Sequence, residues 1–242
     1  ILNSSRGGAV ATTGESSFAA VMDTGGVIWN NDASSGNLDS TGFGDYRGTD
    51  QVFIVDKGYT HDGTHSGFSK VKVLSATTTG YEVQVCDLES TEPQTLNIPK
   101  NDQVNFVAFS LTTNTVVDFE PHKDTWDLLF TQYTFNFIDP PIAYLVTGVL
   151  TNRNKVQVAV ENQIPFADLT RSDAEQYTYS SSIDVIGYDW KEYDFDEAAY
   201  LVFDEITYLV KDTDGKYFKL HFVDFYTDSG EKGAPKLEIQ EL

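Results

Sequence analysis

From Gln51 onward the chain alternates between apolar and polar positions with a period of two, the signature of β-strands with one face buried. Val71 and Val73 alternate with lysines, and Tyr81, Val83 and Val85 alternate with Glu82, Gln84 and Cys86. Val156, Val158 and Val160 repeat the pattern. Two segments, Val104–Leu111 and Tyr144–Leu150, are apolar at successive positions and predict central strands covered on both faces. Ile206–Tyr226 predicts a hairpin: ITYLV and KYFKLHFVDFY flank Asp212-Thr213-Asp214-Gly215, whose Asp-Gly step supplies the positive φ of a tight turn. Leu237, Ile239 and Leu242 predict a last edge strand, and Phe166–Tyr177 the one short helix.

Strand following strand at turn-separated intervals predicts an all-β antiparallel sandwich or barrel-like fold. Residues 3–17 are mostly Ser, Gly, Thr and Ala, so residues 1–22 read as a flexible leader. Residues 23–242 then form a single all-β domain, with 23–100 a possible N-terminal sub-layer. Within residues 23–50 the pattern predicts loops and one short strand around Gly26–Trp29. No internal repeat of fixed period is evident.

Composition narrows the function classes. The net charge of −21, with 16 Lys and Arg against 37 Asp and Glu, lacks the basic cluster that nucleic acid requires. Cys86 is the only cysteine, which excludes an internal disulfide. No apolar run reaches the ~20 residues of a membrane-spanning helix. Ile1–Ser5 carry neither a basic nor an apolar targeting segment. There is no G-x-S-x-G elbow, no Cys–His signature and no phosphate-binding loop, so nothing in the chain argues for an enzyme.

The densest aromatic segment is Trp126–Leu150, WDLLFTQYTFNFIDPPIAYLVTGVL. It reads as a strand, a turn at Pro140-Pro141 and a second strand. Together with Asn105–Val117 and the carboxyl-terminal hairpin, it resembles the HmuY-like haem-binding lipoproteins of Gram-negative cell surfaces. In that family a W-D-x-x-x-H-R-Y strand carries an axial haem ligand. The likeness covers roughly residues 100–242, fits residues 60–100, and leaves 1–59 uncovered. It implies haem as ligand, a lipid anchor in the outer membrane rather than a spanning segment, and handover to an outer-membrane transporter. The anchoring cysteine would lie before Ile1.

The residues matching the motif are Trp126, Asp127, Thr131, Gln132 and Tyr133, so Thr131 stands at the ligand position. A threonine is a poor iron donor. Tyr133, two residues on and on the same strand face, is the nearest side chain able to serve. Phe135, Phe137 and Tyr144 are candidate walls of a porphyrin slot, and His122, just before the strand, is the best-placed histidine. Each also has an ordinary reading as core or turn. His61 and His65 share the spacing of a metal pair, but Gly63 and Gly67 place them in a loop. Met22 maps to no ligand position. The acids Asp189, Glu192, Asp194, Asp196 and Glu197, and the pair Asp212 and Asp214, lack a calcium-loop pattern and read as solvated. Two functions follow: a haem-capturing surface protein, or a non-enzymatic module of the same fold that binds a protein, peptide or glycan.

Overall fold

A computed structural model describes residues Ile1–Leu242. The protein is all-β, with one α-helical turn at Arg171–Ala174 and no helix long and apolar enough to cross a membrane. Its strands in chain order are β1 (Ala9–Thr12), β2 (Trp29–Asn30), β3 (Phe53–Asp56), β4 (Phe68–Ala76), β5 (Gly80–Asp87), β6 (Gln94–Pro99), β7 (Ala108–Ser110) and β8 (Thr115–Val117). They continue as β9 (Leu128–Ile138), β10 (Pro141–Thr151), β11 (Gln157–Glu161), β12 (Lys191–Asp194), β13 (Ala199–Val202), β14 (Thr207–Lys211), β15 (Tyr217–Tyr226) and β16 (Lys232–Glu241).

The chain forms two compact units, one of Ile1–Lys123 with Gln132–Val146, the other of Asp124–Thr131 with Thr147–Leu242. The first is built on a six-stranded sheet, β2-β1-β3-β4-β5-β6, and the second on a four-stranded sheet, β11-β14-β15-β16. β7–β8, β9–β10 and β12–β13 are two-stranded ribbons.

Two expectations are corrected here. The polar amino-terminal segment is not a flexible leader: Ala9–Thr12 is an interior strand of the six-stranded sheet, and Val10 is fully buried against Phe53, Val55 and Val71. Small residues suit this segment because it packs closely between neighbours, not because it is loose. Val104–Leu111 is not a central strand either. Only Ala108–Ser110 is extended, half-buried in the short β7–β8 ribbon. The carboxyl-terminal hairpin and the last edge strand stand where the pattern places them.

The two sheets are copies of one design. Val10 pairs with Val55 and Ala11 with Ile54 in the first unit, as Val158 pairs with Val210 and Ala159 with Leu209 in the second. Ile54 then faces Lys70, which faces Cys86; in the other unit Leu209 faces Lys219, which faces Gln240. Even the irregularity recurs: the register breaks between Val73 and Ser75, and between Phe222 and Asp224. Aligned without a gap, residues 1–21 and 149–169 share Leu2/Leu150, Val10/Val158, Ala11/Ala159, Phe18/Phe166 and Ala19/Ala167.

The packing is duplicated as well. One face of the first sheet buries Val10, Phe53 and Val71, and the matching face of the second buries Val158, Tyr208 and Leu220. Each such side chain contributes roughly 1.5–3 kcal/mol on burial. The opposite faces carry a buried lysine each. The Lys70 ammonium donates to the carbonyls of Phe18 and Val21, both at 2.7 Å. That of Lys219 donates to Phe166 and Leu169 at 2.6 and 2.9 Å. Phe18–Ala20 and Phe166–Asp168 are single 3₁₀ turns whose carbonyls have few partners of their own. Each lysine thus caps a turn, with its ammonium 5.9 Å from the Phe18 ring and 4.7 Å from the Phe166 ring respectively. Burial lowers the Lys70 pKa from its ordinary value. The alternation around Val71 predicts a wet lysine face, and Lys70 at 0% exposure overturns that.

Candidate functional site

The β9–β10 ribbon contributes to both units. In the second unit its root is a clamp. The carbonyls of Trp126 and Asp127 accept the Asn152 side-chain amide at 2.6 Å and its backbone N–H at 2.8 Å. The Asp127 carboxylate accepts the Thr213 N–H at 3.2 Å, tying the strand to the β14–β15 turn. The Trp-Asp pair is therefore an anchor for the ribbon. Asn152, which completes it, sits in the polar stretch Thr151–Lys155 and carries no signal of this role in the sequence.

In the first unit the far half of the ribbon, Gln132–Val146, follows strand periodicity, with successive side chains on opposite faces. The Thr134 hydroxyl donates to the Ser4 carbonyl at 2.9 Å and the Asn136 amide to the Asp32 carbonyl at 3.0 Å. Thr134 and Asn136 thus hold one face to the amino-terminal segment. The alternate positions are Tyr133, Phe135 and Phe137. Tyr133 is 1% exposed. Phe135 and Phe137 meet edge to face at 5.0 Å, and Phe137 meets Tyr144 of β10 at 6.5 Å.

The returning strand differs in kind. All five residues of Pro141–Leu145 are exposed, although every one is apolar or aromatic. Tyr144 is 59% exposed and Ile138, at the turn, 90%. Tyr144–Leu150 is accordingly no uniformly central strand. Its first residues face solvent in one unit, while Gly148, Val149 and Leu150 are buried in the other.

The remaining candidates separate. Thr131 is half-buried in the second unit, and His122 is exposed in the loop after β8. His65 is bound locally, its Nε2 2.8 Å from Asp56 and its ring between Tyr59 at 5.1 Å and Phe68 at 4.9 Å. His61 is exposed, and no group of three or more His, Cys, Asp or Glu side chains is placed to hold a metal.

The protein-family model of the HmuY protein matches residues 1–239. The chain belongs to the HmuY family. The match begins at Ile1, so residues 1–59, which the motif resemblance leaves aside, are part of the family's fold as well. No curated protein and no solved structure shows a match. Membership of the HmuY family suggests a haem-binding protein.

The far half of the ribbon suits that ligand in two respects. Haem needs an apolar surface, and Ile142 and Tyr144, on one face of β10, offer one together with Phe137. Its iron needs an axial donor, for which a tyrosine oxygen serves. Thr131 cannot be that donor and Tyr133 is turned away from solvent, but Tyr144 presents its phenol in the exposed strand. The sequence motif points to the first two; of the three, the third is the exposed one.

Proposed function

We propose that this protein captures haem on the far half of the β9–β10 ribbon, with Tyr144 as an axial donor and Phe137 and Ile142 against the macrocycle. The observation that carries this reading is the solvent exposure of five consecutive apolar residues around an accessible phenol, in a member of a haem-binding family. Haem, when bound, supplies an iron whose axial position takes a protein oxygen. The chain's own contribution is to hold the phenol on a strand whose partner is hydrogen-bonded to Ser4 and Asp32. Family membership further supports a non-enzymatic role at the cell surface, attachment by a lipid anchor and delivery to an outer-membrane transporter.

Titrating the protein with haemin and following the Soret band tests the proposal. A saturable, shifted band is expected, with affinity reduced at least ~10-fold in Tyr144→Phe and little changed in Tyr133→Phe. A spectrum that never saturates at micromolar protein would sink it. Unaltered binding by Tyr144→Phe would remove Tyr144 as the donor.

Thr131 at the family's ligand position favours a second reading, in which the same surface binds a peptide, a glycan or another protein and no haem. That reading predicts no haemin response in the same titration.

A further inference from the structure

The second unit contains a cavity of about 490 Å³ lined by Arg153, Lys155, Gln157, Ser181, Lys211 and Thr213, together with Asp212 and Asp214. Three cations line one depression, beside two carboxylates, in a chain with 16 Lys and Arg and a net charge of −21. Asp212 is occupied by its own turn, its Oδ1 accepting the N–H groups of Asp214 and Lys216 at 2.9 and 2.8 Å. Lys155 has an exposed ion pair to Asp124 at 3.6 Å. The Lys211 ammonium lies 5.7 Å from the centre of the Tyr217 ring, a contact that orients it without neutralising it.

The duplicated design shows what the corresponding place looks like when it is closed. In the first unit the positions of Arg153, Lys155, Gln157 and Lys211 are held by Ser5, Gly7, Ala9 and Asp56. There the connection between β3 and β4, residues 57–67, folds back over the turn of residues 4–7. The Tyr59 N–H donates to the Arg6 carbonyl at 2.9 Å, and a Cβ on Gly58 would lie 2.1 Å from that oxygen. In the second unit the equivalent connection is the tight turn of residues 212–216, which leaves the cavity open.

Lys155 adds an independent sign. Its φ is 73°, in the left-handed region, where its counterpart Gly7 has φ 67°. Glycine adopts that conformation freely, whereas a lysine is strained there. A side chain kept at a position where the backbone prefers none is consistent with work done by its ammonium group.

We propose that this cavity is an oxyanion site, taking a phosphate or sulfate group carried on a small polar molecule. The Arg153 guanidinium provides the planar fork suited to two oxygens of a tetrahedral group. Lys155 and Lys211 supply charge, and the Gln157 amide and the Ser181 and Thr213 hydroxyls supply further hydrogen bonds. The site does not depend on the haem reading: it uses none of the ribbon's far half, and a null haemin titration leaves it standing.

The test is a ¹H–¹⁵N correlation titration of the whole chain with inorganic phosphate and, separately, sulfate, each balanced with chloride at constant ionic strength. Saturable shifts confined to residues 153–157, 181 and 211–215 are expected, and the arm that saturates first identifies the preferred group. Arg153→Gln and Lys211→Gln should each weaken binding at least about fivefold, since each removes a charge-assisted contact. Lys155→Gly should weaken it while raising the melting temperature, a combination that loss of folding cannot produce. Shifts that are absent, that grow linearly without saturating, or that are matched around the surface pair Lys236–Asp224 would overturn the proposal.

Discussion

The two units carry one sheet design to different ends. Both thread an opening strand beside a later one, β1 beside β3 and β11 beside β14, break register at the same place, and cap a 3₁₀ turn with a buried lysine. They differ where the design meets solvent. The first closes its β3–β4 edge with a long connection and displays the apolar end of β9–β10, while the second shortens the matching connection to a tight turn and exposes cations. The buried half of such a fold is set by packing and by hydrogen bonds that must be made. The connections are free to diverge, and ligand surfaces arise there.

The sharpest way to break this comparison is at the unequal connections. Gly58→Ala should cost about 3 kcal/mol or more, because a left-handed alanine is combined with backbone overlap against Arg6. Gly215→Ala, whose nearest outside atom is the Lys211 Cε at 3.9 Å, should cost only the conformational part, about 1–2 kcal/mol. Chemical denaturation of both variants measures the difference, and equal costs would refute the closed-versus-open distinction.

The lysine caps should behave alike. Lys70→Ala and Lys219→Ala each remove two ammonium–carbonyl hydrogen bonds and should each lose about 2–4 kcal/mol. A loss under about 1 kcal/mol in either would show that the matching geometry is not matched in energy. Lys155→Gly should work the other way, stabilising the second unit by about 1 kcal/mol through relief of its left-handed backbone.

The smallest effect lies at Lys191, for which the first unit's design has no counterpart among its buried lysines. Its ammonium donates to the Thr147 carbonyl at 2.8 Å and sits 4.2 Å from the Trp190 ring. Burial pulls its pKa down to about 8 from 10.5. Above the folded pKa and below the unfolded one, the unfolded chain holds more protons, so this group's contribution to stability rises with pH. Wild type should therefore gain on Lys191→Met between pH about 8 and 10. A gap that is flat or shrinks over that interval would contradict it.

Local chemistry was readable from the sequence, and distant partnerships were not. The Asp212–Gly215 turn, the strands around it and the absence of a good iron donor at Thr131 all follow from neighbouring residues. Lys70 reads as a solvent-facing residue because its period-two neighbours say so, while the carbonyls that hold it lie some fifty positions earlier. The duplication escapes inspection for a related reason: its shared residues, such as Val10/Val158 and Phe18/Phe166, are few and generic, and connections of unequal length follow them. Tyr144 looks like a core residue in an apolar run. Only the fold shows that half of β10 is wet.

The two copies have also lost their independence. The first unit includes residues 132–146, and the second includes both the stretch before them, 124–131, and the stretch after, 147–242. No single cut of the gene releases both as self-sufficient pieces, so this pair can no longer be shuffled as modules by recombination.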